Sequence, residues 1–276
     1  MLVNCKGKLI DLSTPRVMGI LNITPDSFYE GSRLESVDAA LKKAEQMIDE
    51  GADFLDIGGM STRPGSDVLN ETEELKRVIP IIEIILKNFS EILISIDTWR
   101  SKVALEAVTA GAAIVNDISA GSLDSELFQT VANLDVPYIL MHMQGTPQTM
   151  QQNPVYKDVV LEVNQFLSAK IFELRKIGVS DIILDPGFGF GKTVDHNYSL
   201  LKNLNLIGFG EFPILAGLSR KSMIKNLIDA DEKNALNGTT AVNMIALQNG
   251  ANILRVHDVK EAKQCVEIWK KLTSVD

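Results

Sequence analysis

Polar side chains stand at the end of each of eight short apolar runs that are spaced along the whole chain. They are Asn22, Asp56, Asp97, Asn116 with Asp117, His142, Asp185, Ser219 with Arg220 and Lys221, and Arg255 with His257. Any one of them is explained well enough as a loop anchor or a helix cap, and Asp56 and Asp117 are open to that interpretation. Eight polar ends that meet at one edge of a fold are not explained by capping, and they indicate a binding site.

One part of this set is acidic or amidic. Asp97, Asn116 and Asp185 offer the acceptors that suit a heteroaromatic ring with an amino-pyrimidine edge, whose N–H donors pair with a carboxylate. The sequence therefore indicates a ring of this type as one substrate.

Another part of the set is basic. Arg63, Arg255 and His257 are potential cations in a chain of net charge −9, and they indicate an anionic group on the substrate. Arg255 and His257 flank Val256 on one apolar run, so strand alternation predicts that they point the same way. Asn22, joined by a phosphate oxygen, suits Mg²⁺, which prefers hard oxygen ligands and keeps several waters.

Other common catalytic arrangements are not supported. The three histidines (142, 196 and 257) lie on separate units without metal-ligand spacing, and "GLSRK" lacks the pattern of a nucleophile elbow. The stretch "DPGFGFGKT" ends like a phosphate-binding loop, but Pro186 stands where that loop requires a glycine. A proline has no N–H to offer a phosphate, so we do not interpret Lys192 as a phosphate lysine.

The elements that must position these residues repeat one unit. Apolar runs alternate with longer amphipathic segments, and continuous apolarity is typical of parallel strands covered on both faces. The runs span residues 17–23, 53–59, 92–98, 112–119, 137–143, 181–187, 212–219 and 252–258. Eight such units predict an α/β fold, a (β/α)₈ TIM barrel, in which the active face is at the carboxyl ends of the strands. A doubly wound sheet is the alternative, although it normally shows a glycine fingerprint in its first unit.

The domain organisation follows from the same repeat. Residues 1–276 contain no linker or low-complexity segment, so we predict a single barrel domain, preceded by a short N-terminal hairpin around Gly7. The loops "TPDSFYEGSR" and "GMSTRPGSD" after the first two strands are longer than usual, which favours a lid or binding loop in each.

Composition limits the partners. The 36 acidic and 27 basic side chains argue against a nucleic acid or an anionic membrane as a general partner. Cys5 and Cys265 are far apart, which favours reduced thiols over a disulfide or zinc site. The first residues contain no apolar signal segment and the longest apolar run is too short to span a bilayer, so we expect a cytoplasmic protein.

Nine motifs of the chain resemble those of dihydropteroate synthase, and they occur in that family's order over nearly the whole length. They are "GILNITPDSF", "DIGGMSTRPGS", "SIDT", "IVNDIS", "LMHMQGTPQTMQ", "LDPGFGFGK", "GLSRKSMI", "GTTAVNMIAL" and "RVHDV". The resemblance implies a (β/α)₈ barrel, generally a homodimer. It also implies an enzyme that joins 6-hydroxymethyl-7,8-dihydropterin pyrophosphate to 4-aminobenzoate and releases pyrophosphate in folate synthesis.

The resemblance also implies roles for individual residues. The pterin would be held by Asp97, Asn116, Asp185 and Lys221. The pyrophosphate would be bound by Thr62, Arg63, Arg255 and His257, with Mg²⁺ on Asn22. The aminobenzoate ring would lie among Phe28, Pro64, Phe190 and the Lys221 stem, with its carboxylate near Ser219 and Ser222.

The implied reaction is a dissociative substitution without a covalent enzyme intermediate. An aryl amine is a modest nucleophile, so the enzyme gains most by helping pyrophosphate depart, and Arg63, Lys221, Arg255 and His257 are the cations implied in that step.

The first loop departs from the family pattern, Asp-Ser-Phe-Ser-Asp-Gly-Gly, because Tyr29 and Glu30 follow Phe28 here. We expect Glu30 to supply the carboxylate of that loop and to act in catalysis. Two alternatives stay open: a pterin-binding methyltransferase that acts on methyltetrahydrofolate and a corrinoid protein, and a non-catalytic pterin-binding subunit. The methyltransferase would have no use for the cations Arg63, Arg255 and His257. The non-catalytic subunit would have no use for the two long loops.

Overall fold

The computed structural model describes residues 1–23, 33–60, 69–150, 153–231 and 234–275, with the backbone alone for residues 33–36. The chain begins with an antiparallel hairpin of β1 (Leu2–Cys5) and β2 (Lys8–Asp11), joined by a turn at Lys6 and Gly7. Val3, Cys5 and Leu12 are buried against the amino-terminal ends of the strands that follow. The hairpin therefore covers the bottom of the main sheet.

Eight parallel strands form that sheet. They are β3 (Arg16–Asn22), β4 (Phe54–Gly58), β5 (Leu93–Asp97), β6 (Ile114–Asp117), β7 (Tyr138–Met141), β8 (Ile182–Asp185), β9 (Leu215–Ala216) and β10 (Ile253–Val256). Their order is β8-β7-β6-β5-β4-β3-β10-β9, so neighbours in the chain are neighbours in the sheet. Leu184 forms a parallel bridge to Ile214 and donates its N–H to the Pro213 carbonyl at 2.8 Å, which joins the two edges. The predicted barrel and hairpin are confirmed, and the doubly wound alternative is wrong.

A helix follows each strand. The helices of the described residues are α1 (Arg33–Asp49), α2 (Glu71–Asn88), α3 (Ser101–Thr109), α4 (Leu127–Leu134), α5 (Val159–Lys176), α6 (Val194–Lys202), α7 (Ser222–Ile228), α8 (Leu236–Gln248) and α9 (Val259–Thr273), with a 3-10 helix over Leu204–Gly210. Side-chain caps begin several of them: Asn70 accepts from the Glu73 N–H, and Asp158 accepts from the Val160 and Leu161 N–H groups.

The continuous apolarity of the strands is explained by two cores. The larger lies between the strands and the helices and includes Leu55, Ile96 and Leu184, none of which is exposed. The smaller fills the lower barrel interior with Met18, Phe54 and Ile183. Because both faces of each strand are buried in their lower halves, most polar side chains of the strands lie toward the upper ends, where the barrel opens. We call this open carboxyl end the mouth.

None of the described helices is both long and apolar enough to cross a membrane.

Candidate active site

Strand register places three of the predicted site residues in one row at the mouth. Asn22 pairs with Gly58, Gly58 pairs with Asp97, and Asp97 pairs with Asn116. Gly58 matters here because a Cβ at that position would lie 3.2 Å from Asn22 Oδ1 and 3.7 Å from Asp97 Oδ2. Gly58 therefore allows the amide oxygen of Asn22 and the carboxylate of Asp97 to lie close to the backbone in the middle of this row.

Arg255 lies lower, opposite Met18 in the register, and its long side chain contacts two carboxylates nearer the mouth. Its Nε is 2.6 Å from Asp56 Oδ2, and a terminal nitrogen is 2.6 Å from Asp97 Oδ2. Burial alone would lower the pKa of the guanidinium, but Asp56 and Asp97 raise it above its usual value. Burial raises the pKa of Asp97, and Arg255 opposes that shift. Because the Arg255 side chain is still 19% exposed, this cation is oriented by the protein and reachable from the mouth.

Asp56 and Asp117 differ sharply although both are fully buried near strand ends. Asp117 accepts from the Ser119 and Gly121 N–H groups at 2.7 Å and from the Tyr138 hydroxyl at 2.6 Å, so it anchors its own loop. Asp56 instead accepts from Arg255 and, at 3.0 Å, from Asn116 Nδ2. Asp56 thus orients two site residues and is not a cap.

Asp185 ends β8 at the opposite side of the mouth and is 6% exposed. The Gly187 N–H donates to its Oδ1 at 2.7 Å, which fixes the carboxylate. Its Oδ2 faces Gly217, where a Cβ would lie 4.0 Å from it. Burial raises the pKa of Asp185, while Lys221 and the Gly187 N–H act in the opposite direction. One oxygen is held by the turn, and the other faces the space that it shares with Lys221.

Lys221 crosses the turn that follows Asp185. Its ammonium donates to the Phe188 carbonyl and lies 4.9 Å from the centroid of the Phe190 ring. Its stem passes Gly189, where a Cβ would be 3.2 Å from Lys221 Cδ. Burial lowers the pKa of Lys221 to about 8, with Asp185 opposing and Arg255 adding to the shift. The structure thus brings Asp185, Phe190 and Lys221 together.

Ser219 and His257 form a third group. Ser219 Oγ is 3.0 Å from His257 Nδ1, and Arg220 makes a two-point ion pair with Asp258 at 2.6 and 3.0 Å. Ser222 is the first residue of α7 and is exposed. His257 contacts Ser219 in the loop after β9, whereas Arg255 contacts Asp56 on β4 and Asp97 on β5.

The mouth therefore contains a row of acceptors, an oriented guanidinium and an aromatic ring beside a lysine. A family model described as "Pterin binding enzyme" matches residues 18–257. The dihydropteroate synthase of Haemophilus influenzae is 45% identical over 266 residues, which cover 96% of each chain.

The chain belongs to the dihydropteroate synthase family of pterin-binding enzymes.

Solved structures of that family superpose on the whole chain. The Yersinia pestis dihydropteroate synthase, determined with a sulfonamide drug complex, is 41% identical with a TM-score of 0.93, and both chains are covered completely. The Xanthomonas albilineans dihydropteroate synthase in complex with 7,8-dihydropteroate is 38% identical with a TM-score of 0.89, again over all of both chains. The resemblance in the nine motifs is confirmed.

Five residues that the family resemblance implicates lie outside the described residues, on the loops after β3 and β4. They are Phe28, Glu30, Thr62, Arg63 and Pro64. Their roles stay predictions.

The residues of the mouth fit Mg²⁺ as the family implies, as a site that substrate completes. Among the described residues no group of three or more His, Cys, Asp or Glu side chains is arranged to hold a metal. Asn22 Oδ1 nevertheless lies at the mouth, beside Gly58 of the next strand. Mg²⁺ is commonly held by one or two protein oxygens together with water and substrate phosphates. A single amide oxygen at the mouth matches the protein's share of that pattern, and Mg²⁺ on Asn22 stays a prediction.

Sequence reasoning missed the contact of Asp56 with the site, although a signal was present. Asp56 lies inside the continuous apolar run "FLDIG", and a buried carboxylate requires a partner. The partner, Arg255, is 199 residues away in the chain, so no local pattern identifies it.

Proposed function

We propose that the chain is a dihydropteroate synthase, a transferase that condenses 6-hydroxymethyl-7,8-dihydropterin pyrophosphate with 4-aminobenzoate to give 7,8-dihydropteroate and pyrophosphate. The observation that carries the proposal is the joint position of Asp185, Lys221 and the Asp97–Arg255 pair around one mouth. They supply, within one space, acceptors for a pterin and a cation for its leaving group.

The pterin is bound by the acidic side of the mouth in this proposal. With Oδ1 occupied by the Gly187 N–H, Asp185 Oδ2 accepts from the amino-pyrimidine edge. Asn116 has its Nδ2 committed to Asp56, which orients its Oδ1 as the remaining acceptor. Asp97 completes the set across the row, and Lys221 donates to the ring from the side of β9.

The 4-aminobenzoate lies against the Phe190 ring and the Lys221 stem, with Phe28 and Pro64 on its other faces. Its carboxylate is received near Ser219 and Ser222. The ammonium of Lys221 over the Phe190 ring supports this placement because it marks an aromatic surface beside the pterin position.

The pyrophosphate is bound by Arg255, His257, Thr62 and Arg63. Arg255 is held in place before substrate arrives, so it stabilises negative charge on the departing oxygen without reorganisation. Mg²⁺ held by Asn22 would neutralise part of the pyrophosphate charge. The electron-rich dihydropterin delocalises positive charge at its exocyclic methylene as the C–O bond breaks. The amine then forms the C–N bond and releases a proton, so no covalent enzyme intermediate is needed.

A direct experiment tests the function. Mixing the pterin pyrophosphate, 4-aminobenzoate and Mg²⁺ with the protein should release one pyrophosphate per 7,8-dihydropteroate formed, as measured by coupled phosphate detection and mass spectrometry. Removing Mg²⁺ with a chelator should suppress both products together. Pterin binding without pyrophosphate release would instead identify a non-catalytic subunit. Methyl transfer from methyltetrahydrofolate would identify the methyltransferase.

We also predict that Glu30 acts in catalysis. Its carboxylate, on the loop after β3, orders the closed loop or offsets charge on the pterin methylene, so it acts in the transition state. Glu30→Ala should lower kcat strongly and change pterin-pyrophosphate affinity far less, whereas Glu30→Asp should keep much of the activity. A solvated surface carboxylate would shift stability by no more than about 0.5 kcal/mol. Wild-type kcat in Glu30→Ala contradicts the role.

The pKa of Lys221 predicts a pH dependence. Because burial lowers this pKa to about 8, the ammonium that binds the pterin loses its proton as the pH rises through that value. The kcat/KM for the pterin pyrophosphate should therefore fall on the alkaline side, with an apparent pKa near 8. Lys221→Arg stays protonated and should lose the part of this fall that Lys221 causes, at a lower overall rate. An identical alkaline fall in Lys221→Arg shows that another group titrates, and Lys202→Arg on the exposed face of α6 is the control.

We also propose that the enzyme acts as a homodimer in the cytoplasm. Family resemblance supports the dimer, and sedimentation analysis that gives the mass of one chain contradicts it. Cell fractionation tests the location, and recovery of the protein outside the cytoplasmic fraction contradicts it.

A further inference from the structure

The turn between β8 and α6 encloses a buried lysine. Lys192 is 4% exposed, and its ammonium donates to the Gly187 carbonyl at 2.9 Å and the Phe190 carbonyl at 3.0 Å. The same Nζ lies 2.9 Å from Nδ1 of His142, the residue that follows β7. A lysine ammonium has three donors, and all three are used here.

The turn packs closely against the backbone that follows β7. A Cβ at Gly187, which has φ +71°, would lie 1.8 Å from the His142 carbonyl oxygen. A Cβ at Gly191, which has φ +64°, would lie 2.5 Å from the Gln144 carbonyl oxygen. The glycines therefore allow this close approach, and Lys192 supplies the donors for carbonyls that the approach shields from water.

Packing alone does not account for a lysine at this position. Burial lowers the pKa of Lys192 to about 7, with Asp185 acting in the opposite direction and Lys221 in the same one. Burial also lowers the pKa of His142 to about 3, so its ring is neutral near neutral pH and its Nδ1 accepts from the ammonium. An apolar side chain would avoid the desolvation but would leave the buried acceptors without donors.

The turn carries two residues of the site. The Gly187 N–H holds the Asp185 carboxylate, and the Phe190 carbonyl that accepts from Lys192 belongs to the residue whose ring lies beside Lys221. The Phe188 carbonyl, between them, accepts from Lys221. The turn is thus held by two lysines: Lys221 at the mouth and Lys192 on the buried side.

We propose that Lys192 is a positioning residue of this enzyme. Its ammonium fixes the Gly187–Phe190 turn, so that the Asp185 carboxylate and the Phe190 ring remain in place for the pterin and the 4-aminobenzoate. This inference rests on the proposed function. Lys192 touches neither substrate.

The test is Lys192→Met, which keeps an unbranched side chain and removes the three donors. Affinity for the pterin, and for 4-aminobenzoate with pterin and Mg²⁺-pyrophosphate present, should fall about 10- to 100-fold, because buried acceptors lose their donors and the turn shifts. Binding of Mg²⁺-pyrophosphate alone, measured by calorimetry, should change by less than about twofold, since Arg255 is held by carboxylates of β4 and β5 and His257 contacts Ser219 after β9. Lys202→Met, which removes an exposed charge from α6, should bind all three as the unaltered protein does.

A second pair of variants tests the same contact from the His142 side, in case Lys192→Met does not fold. His142→Asn keeps an acceptor near the position of Nδ1, whereas His142→Leu removes it. His142→Leu should weaken the pterin and 4-aminobenzoate more than His142→Asn does, with pyrophosphate binding equal in the two.

Several results overturn the proposal. They are unchanged pterin and aminobenzoate affinities in folded Lys192→Met, an equal loss of pyrophosphate affinity, or identical affinities in the two His142 variants. The proposed function fails separately, if the unaltered protein and Lys202→Met release no pyrophosphate from the two substrates.

Discussion

Asp185→Asn is expected to weaken pterin binding by roughly 10- to 100-fold, since the loss of a charge-assisted hydrogen bond costs about 1.5–3 kcal/mol. The Gly187 N–H donates to Asp185 Oδ1 at 2.7 Å, and an asparagine keeps that bond by placing its oxygen there. Its NH₂ group then occupies the position of Oδ2 and meets the N–H donors of the pterin. The substitution therefore replaces an attractive contact with two facing donors.

The fold should survive this change. Burial raises the pKa of Asp185, which means that the folded protein holds its charge at a cost, and an amide of the same shape avoids that cost. Calorimetry with the pterin measures the affinity, and thermal unfolding measures the stability. Asp195→Asn, an equal charge change on the exposed first turn of α6, is the control. Unchanged pterin affinity in a folded Asp185→Asn protein contradicts the role of Asp185.

The same variant has a second expected consequence. Asp185 raises the pKa of Lys221, in opposition to burial. Without that negative charge the pKa of Lys221 should fall further below its present value of about 8. The alkaline fall in kcat/KM should then begin at a lower pH in Asp185→Asn than in the unaltered enzyme.

Asp56→Ala is expected to lower both the stability and the activity. Asp56 is fully buried, and its removal leaves Arg255 paired with Asp97 and takes the Asp56 acceptor from Asn116 Nδ2. Loss of one partner of a buried ion pair costs about 3–5 kcal/mol, and we expect about 3 kcal/mol because Arg255 keeps Asp97. Denaturant unfolding measures this loss. Affinities for the pterin and for pyrophosphate should fall together, because one carboxylate orients residues that serve each of them.

Asp117→Ala is the matched control for Asp56→Ala. Asp117 is equally buried at the end of β6, two strands away, and it accepts three hydrogen bonds from its own loop and from Tyr138. Its loss should destabilise the protein while the folded fraction keeps its affinity for both ligands. Equal effects of the two substitutions on ligand affinity would show that Asp56 is only a structural carboxylate. Asp56→Asn retains the acceptor toward Asn116 and should therefore be milder than Asp56→Ala.

The sequence alone predicts the fold and several of the residues that the structure brings to the mouth. Eight continuous apolar runs separated by amphipathic segments predict buried parallel strands and their covering helices, because a strand covered on both faces tolerates no alternating polar residues. Polar side chains are then expected mainly at strand ends, which is why the sequence singles out Asn22, Asp97, Asn116 and Asp185. The nine motifs that indicate the family include the carboxyl ends of these strands, where the site residues lie.

Only the tertiary structure decided which polar residues act together. Asp56 and Asp117 look alike in the sequence, yet Asp56 binds Arg255, 199 residues away, and Asp117 binds its own loop. Lys192 follows a glycine-rich stretch like a phosphate lysine, yet its ammonium is buried among carbonyls of the turn. Periodicity specifies the face on which a side chain lies, whereas its partner depends on strand register and on the reach of side chains across the barrel. Those distances are set when the sheet closes, and no local stretch of sequence contains them.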